Sequence, residues 1–254
     1  MAAKVSMDFI LGQYGSAAEH YKAYALEVGL WQSEKYVFEK YVHLNHTILD
    51  LGCGAGRTTF SLYELGYSNI TGVDITPEMI QAAQEIQSVN KLPIKFQVGD
   101  ATRLKFDDSN YDVVFFSFNG MMSIPSKSIR TMALKEVSRI LKPGGIYIFT
   151  THDRNKEPHY FKFWKEEKER WNKGLQNAQL YEFGDIIGPS KNEVRDIYLH
   201  IPNQNEVAEW LEVNGFKVLE TFYRNELFDE SDQVKEKSGE CRFWIARKGS
   251  MNQG

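Results

Sequence analysis

The chain has 254 residues, 42% of them hydrophobic and 25% charged, which excludes a disordered or low-complexity protein and leaves ample length for a sizeable core. A net charge of −4 with a pI near 5.9 argues against a surface devoted wholly to nucleic acid, though not against a local basic patch. The two cysteines, Cys53 and Cys241, build neither a disulfide framework nor a metal spacing, and no apolar run approaches the roughly 18 residues of a membrane span, so a soluble cytoplasmic protein without a signal segment or metal is expected.

Along the chain, residues 16–42 read as one or two amphipathic helices, with Tyr21, Ala25, Val37 and Tyr41 near helical spacing. The texture then changes to short apolar runs alternating with helical patterns. "TILDL" reads as a buried strand and 57–66 as a helix; "NITGVD" is the next strand, and "TPEMIQAAQEIQSVN" a helix capped by Thr76 with Pro77 in its first turn. "IKFQVGD" and "YDVVFFSF" are further strands. Ile129, Met132, Ala133, Val137, Ile140 and Leu141 form one face of a helix that "KPGG" stops, before the strand "IYIFTT". Residues 152–200 are polar, aromatic-rich and irregular, with a helix across "EPHYFKFWKEEKERW". After them come the helix "NQNEVAEWLEVNG", ended by Gly215, and the strands "FKVLETFYR" and "CRFWIAR". With no helix between them, those last two strands should pair antiparallel at a sheet edge. Strands alternating with helices imply parallel pairing in a three-layer α/β sandwich, here one domain carrying an insertion.

The densest signal is "ILDLGCGAGRTTF", a strand, a glycine-rich turn and a helix. Such a turn presents backbone N–H groups to a ligand, or it is simply a tight turn that binds nothing. The dinucleotide fingerprint needs a third glycine where Arg57 stands, and Asp50 at the strand tip would repel a pyrophosphate but suit an ammonium. Asp74 closes the second strand, 18 residues beyond Gly56, where a carboxylate can accept both hydroxyls of a ribose. Gly99 and Asp100 end the third strand, and "SFNGMM" follows the fourth. All four features fall at carboxyl ends of strands, the side on which such sheets bind ligands.

The segments "ILDLGCGAG", "GVDITPEMI", "VGDATRLKF", "YDVVFFSFNGM" and "ILKPGGIYIFTTHD" together resemble the successive motifs of class I S-adenosylmethionine-dependent methyltransferases, over 48–152, and "WLEVNGFKV" onward resembles the family's final helix and hairpin. The resemblance implies a Rossmann-like, doubly wound, mostly parallel seven-stranded sheet of order 3-2-1-4-5-7-6. It would carry an N-terminal helical cap over 1–45, a cofactor-binding core over 46–151, a substrate-side insertion over 152–200 and a C-terminal helix and hairpin over 201–248. It implies S-adenosylmethionine as cofactor and S-adenosylhomocysteine as product. Asp50 would meet the ammonium directly or through water, and the loop of Gly52, Cys53 and Gly54 would approach the methionine portion. Asp74 would take the ribose diol, Ile75 the adenine face, and Asp100 with Ala101 the adenine edge; the backbone at Ser117 and Phe118 would lie beneath the sulfonium. Tyr14 and Tyr21 are candidates for a cap folded over the pocket.

Alignment of nucleophile, methyl and sulfur is the main task of such an enzyme, and a base is needed only for a protonated acceptor. Asn119, Met122, His152 and Asp153 follow the fourth and fifth strands and could overhang the reacting centre, His152 as a base or as a loop anchor; the other histidines read as surface or packing residues. The insertion should form much of the acceptor site, and Phe161, Trp164 and Trp171 make an aromatic helix face, either packing on the core or walling a substrate. A small-molecule acceptor is favoured. An RNA-modifying enzyme, drawing on Lys156, Lys162, Lys165, Lys168 and Lys173, and a non-catalytic cofactor-binding module are the alternatives.

Overall fold

In the computed structural model, which describes residues 3–189 and 196–249, the middle of the molecule is β1 (Ile48–Leu51), every residue of which is buried. A strand covered on both faces needs no polar alternation, and this one divides its side chains between two cores. Ile48 joins Val113, Phe115 and Ile148 on one face of the sheet; Leu49 and Leu51 join Val114, Tyr147 and Phe149 on the other. β2 (Ile70–Asp74), β3 (Lys95–Val98), β4 (Tyr111–Phe116) and β5 (Leu141–Thr151) run parallel to it. β8 (Phe216–Tyr223) and β9 (Arg242–Lys248) complete the sheet in the order β3-β2-β1-β4-β5-β9-β8, with β9 antiparallel to both neighbours. This is the expected 3-2-1-4-5-7-6 arrangement once two insertion strands, β6 (Asp185–Pro189) and β7 (Asp196–His200), are set aside as a separate antiparallel pair.

Residues 16–42 hold two helices, within the one or two expected there, α2 (Ala18–Glu27) and α3 (Gln32–Tyr41), and a further helix, α1 (Met7–Gly15), precedes them. Ser6 caps α1 by accepting the Phe9 N–H, a start signal upstream of the segment read as helical. α4 (Arg57–Glu64) and α5 (Pro77–Asn90) follow the first two strands; Thr76 holds the N-cap position of α5, but its side chain makes no capping hydrogen bond. α6 (Lys127–Ile140) ends just ahead of "KPGG", as expected, and those residues form the bulged start of β5, earlier than the sequence indicates. Gly145 is pressed there against the carbonyls of Lys142 and Asp112, 2.9 and 3.0 Å from where a Cβ would lie. Met132, placed on the apolar face of α6 by periodicity, is exposed, while Arg130 on the same helix is buried.

The insertion is more regular than its composition indicates. A short 3-10 turn (Pro158–Tyr160) leads into α7 (Phe161–Asn172), and the β6–β7 hairpin follows; its residues 190–195 lie outside the described residues. α8 (Gln204–Val213) is capped by Asn203 and ends before Gly215. The antiparallel pairing of β8 and β9 is as expected, but two helices, α9 (Arg224–Leu227) and α10 (Asp232–Lys237), stand between them. Four and six residues are too few to show a helical period.

Candidate active site

The carboxyl ends of β3, β2, β1 and β4 open into one cavity, about 840 Å³ of empty space counted out through its mouth into solvent. The glycine loop forms its floor. Gly52 sits at φ +67°, and a Cβ there would fall 2.5 Å from the Phe116 ring, so both backbone and space demand glycine. The loop spends much of its own hydrogen bonding: Cys53 N–H donates to Val73 O (3.0 Å), Gly56 N–H to Cys53 O (2.9 Å) and Gly54 N–H to Asp74 Oδ2 (2.9 Å). Two of those donors brace the loop on β2 and the third closes the loop on itself, instead of pointing at a ligand.

Asp74 is held from below by two backbone donors, Gly54 N–H on Oδ2 and Thr76 N–H on Oδ1 (2.8 Å), so each oxygen keeps a lone pair for the cavity. Burial pushes its carboxyl up from the ordinary range, and the backbone donors at Thr76 and Gly54 pull it back. Asp100 accepts the Thr102 N–H and hydroxyl on Oδ1, both at 2.8 Å. Its Oδ2 remains for another donor. Ile75, Ala101, Ser117, Phe118, Gly52, Gly54, Tyr14 and Tyr21 also stand in the wall.

Asp50 and Cys53 do not. The Asp50 carboxylate turns toward α4, where Thr58 and Thr59 hydroxyls donate to Oδ2 (2.5 and 2.6 Å), and Oδ1 is buried without a hydrogen-bond partner. Burial raises its carboxyl to about 6 against the pull of those hydroxyls and of Arg57. Cys53 packs into the core, within reach of Gly72 and the Phe60 and Phe96 layer. Arg57, the residue that breaks the dinucleotide pattern, makes a buried bidentate pair with Glu34 of α3 (2.8 and 2.6 Å), tying the loop to the cap.

After β4 the backbone is left-handed at two successive non-glycine residues, Phe118 (φ +50°) and Asn119 (φ +61°). Such positions cost on the order of 1–3 kcal/mol each and persist only where surroundings fix them. Here Asn119 N–H donates to Thr150 Oγ1 (2.9 Å), and the Phe118 ring lies edge-on to Tyr21 and Tyr24 and tilted against Trp31, 5.7–6.2 Å between centroids. The strained turn delivers Gly120, Ser123 and Ile124 to the wall. Overhead lies α1, which contributes Met7, Ile10 and Tyr14; the Tyr14 and Ser123 hydroxyls are hydrogen-bonded across the gap.

Asn119, Met122, His152 and Asp153 stand outside the wall. His152 Nδ1 donates to Glu240 O (2.6 Å) while its backbone N–H meets Met122 Sδ (3.1 Å), and Asp153 accepts the Tyr223 hydroxyl (2.7 Å). They anchor the loop after β5 to the C-terminal elements. No described residue of the insertion lines the cavity either. Trp164 is buried against Phe183, Trp171 packs on the cluster of Val5, Ile10, Leu180 and Tyr198, and Phe161 is half exposed. Since Ile10 belongs to that cluster and to the cavity wall, the insertion buttresses the roof. Gln13 Oε1 on α1 accepts the Tyr198 N–H (3.0 Å), and Tyr181 OH donates to Val5 O (2.7 Å).

His200, read as a surface or packing residue, is fully buried between two carboxylates: Nδ1 lies 2.7 Å from Asp185 Oδ1 and Nε2 2.7 Å from Glu206 Oε1. Each ring nitrogen thus faces a carboxylate oxygen, the acceptor an imidazole N–H seeks. Glu206 also takes Arg154 (2.8 Å), and Glu182 takes Arg130 (2.6 Å). Glu182, His200 and Glu206 bring ligand atoms within 4.8 Å of one another, but these cations already neutralise both glutamates. Sequence could have flagged Thr102, two residues after Asp100, as an Asx-turn partner; nothing local marks Met7, Ile10, Ser123 or His200.

A family described as a methyltransferase domain matches residues 43–215. A demethylmenaquinone methyltransferase of Staphylococcus carnosus is 31% identical over 183 residues, 68% of each chain. A 2-methyl-6-phytyl-1,4-hydroquinone methyltransferase of Synechocystis is 33% identical over 121 residues, 47% of this chain but only 36% of that relative. Among solved structures, a SAM-dependent methyltransferase of Methanosarcina mazei superposes with a TM-score of 0.68 at 22% identity, over 88% of this chain and all of the other, a likeness of fold.

Proposed function

The chain belongs to the class I S-adenosylmethionine-dependent methyltransferases, and on that premise we propose that the cavity holds adenosylmethionine and presents its methyl group to a small-molecule acceptor. When bound, adenosylmethionine supplies a methyl group already activated by a sulfonium. The chain's part is to bind, orient and exclude water. The observation that carries the reading is the pair of carboxylates at adjacent strand ends, Asp74 and Asp100, each keeping acceptor capacity toward one cavity. Asp74 fits a ribose diol. Asp100 and Ala101 fit an adenine edge and Ile75 its face, with Gly52 and Gly54 under the methionine portion, Ser117 and Phe118 at the sulfonium and Tyr21 above. Asp50 acts from behind the loop, through water.

The two relatives named for hydroquinone and menaquinone methylation support a small-molecule acceptor. No lysine, arginine or histidine lines the cavity among the described residues, which weighs against RNA. Both cysteines are free, as in a reducing compartment, and we place the enzyme in the cytoplasm. Calorimetry with adenosylhomocysteine tests the cofactor: binding to the native chain, weakened about tenfold in Asp74→Ala, is expected for a lost charged hydrogen bond. Equal affinity in that variant removes the ribose assignment. Methyl-labelled cofactor incubated with a metabolite extract and with bulk tRNA tests the acceptor; label is expected in the extract, and label in tRNA alone overturns the small-molecule reading.

A further inference from the structure

The described wall of the cavity carries two charged side chains, Asp74 and Asp100, and both stand at the β2–β3 end. Neighbouring strands lie about 4.8 Å apart, so the region past β4 is three strand steps, about 14 Å, from the tip of β3. A nucleoside seated on those carboxylates leaves this far end to the second substrate, an inference that rests on the adenosylmethionine reading above.

The far end is walled by Met7 and Ile10 of the roof, Phe116 and Phe118 of the floor, and Ile124. Its side-chain polar groups are all hydroxyls: those of Tyr14 and Ser123, bonded to each other, with those of Ser117 and Tyr21 on the same lining. A carboxylate or phosphate entering here would lose its water and meet no cation; an ammonium would meet no carboxylate at this end. A hydroxyl differs, because it both donates and accepts, and a Ser123–Tyr14 pair can serve a hydroxyl or a carbonyl oxygen alike. Burying such a pair in a largely apolar pocket favours ligands that use it, since an oxygen-free analogue gains nothing from it.

We propose that this end takes an uncharged, ring-bearing apolar acceptor whose hydroxyl or carbonyl oxygen engages the Tyr14–Ser123 pair, which makes Ser123 and Tyr14 specificity-determining residues of the acceptor pocket.

The test is calorimetric binding to protein saturated with adenosylhomocysteine, with three probes: 2-methylhydroquinone, 2,5-dihydroxybenzoate as its carboxylated counterpart, and toluene as an oxygen-free ring. 2-Methylhydroquinone should bind at least about tenfold more tightly than either of the others. Ser123→Ala, which removes one atom and opens no appreciable gap, should weaken it about tenfold, Tyr14→Phe should do likewise, and adenosylhomocysteine affinity should stay within about twofold. Equal or tighter binding of the carboxylated probe overturns the inference and leaves the cofactor reading standing, as does failure of all three probes. Loss of adenosylhomocysteine affinity in Ser123→Ala with 2-methylhydroquinone unchanged assigns the pair to the cofactor and also overturns it. Failure of adenosylhomocysteine to bind the native chain overturns the cofactor reading itself.

Discussion

The strand tips around the cavity and the hairpin of the insertion both gather acidic side chains, but they use them in opposite ways. Asp74 and Asp100 are held by nearby backbone N–H groups and a threonine hydroxyl, which orient each carboxylate without neutralising it. Asp185 of the hairpin and Glu206 of α8 have both oxygens taken, by His200, Arg154 and backbone N–H groups, and Glu182 pairs through Oε1 with Arg130. A carboxylate poised for recognition is fixed from one side; a structural one is enclosed. The first arrangement supplies binding and the second holds the roof in place through the hairpin's contacts with α1.

Substitutions can separate the two. The largest effect is expected from His200→Ala, which leaves Asp185 and Glu206 buried around a vacancy; unfolding in urea should show a loss of about 3–5 kcal/mol. Adenosylhomocysteine affinity of the folded variant should fall only a few-fold, and a large affinity loss with intact stability would erase the contrast drawn here. Acid sharpens it next. The Glu206 carboxyl is depressed to about 2 by His200 and Arg154 despite its burial. A depressed carboxyl stabilises the fold above its unfolded value near 4.5 and loses that contribution as pH falls toward 2, at most about 3 kcal/mol here. In His200→Ala that acid-dependent loss should shrink, measurable as melting temperature against pH.

Asp50 lies between the two cases, enclosed like the insertion's acids yet without their cationic partner on Oδ1. Its carboxyl is raised, so ionising it costs stability above pH 6 and nothing below the unfolded value near 3.8. Asp50→Asn should therefore gain about 2 kcal/mol at pH 7, a gain absent at pH 3, while cofactor affinity drops by about the 1 kcal/mol of a water-mediated contact. Asp74→Ala should invert the His200 result, with affinity down about tenfold and stability down by only about 1 kcal/mol for two backbone N–H groups left to water. The smallest effect belongs to Lys162, Lys165 and Lys168 of α7, where Glu166, Glu167 and Glu169 interleave; replacing all three by alanine should shift stability by less than about 0.5 kcal/mol per site and leave methyl transfer unchanged. A steep fall in activity with a changed salt dependence would return RNA to consideration.

The half of the cavity at the tips of β1, β2 and β3 was legible because its signals are local. Gly52 is required by its own φ and a neighbour at 2.5 Å, and Asp74 and Asp100 mark strand ends simply by where an apolar run stops. Cys53 was placed on the wrong side because side chains of a tight loop point both ways, and only packing against Gly72 chose the direction; Asp50, within β1, was turned toward α4 by Thr58 and Thr59. The insertion was illegible because its partners are distant in sequence: Gln13 with Tyr198, Arg130 with Glu182, Asp185 with His200. Polar residues that will be buried look in sequence like polar residues that will be solvated.

By itself, then, the order of apolar runs, glycines and strand-end acids determined the sheet and the β2–β3 end of the cavity, since backbone conformation and strand burial follow from neighbours a few positions away. Tertiary structure alone decided which face of the glycine loop meets the cavity, that His200 is enclosed by two carboxylates, and that Tyr14 closes on Ser123. Those depend on which side chains desolvate one another across more than a hundred residues in the last case, and no local pattern encodes that meeting.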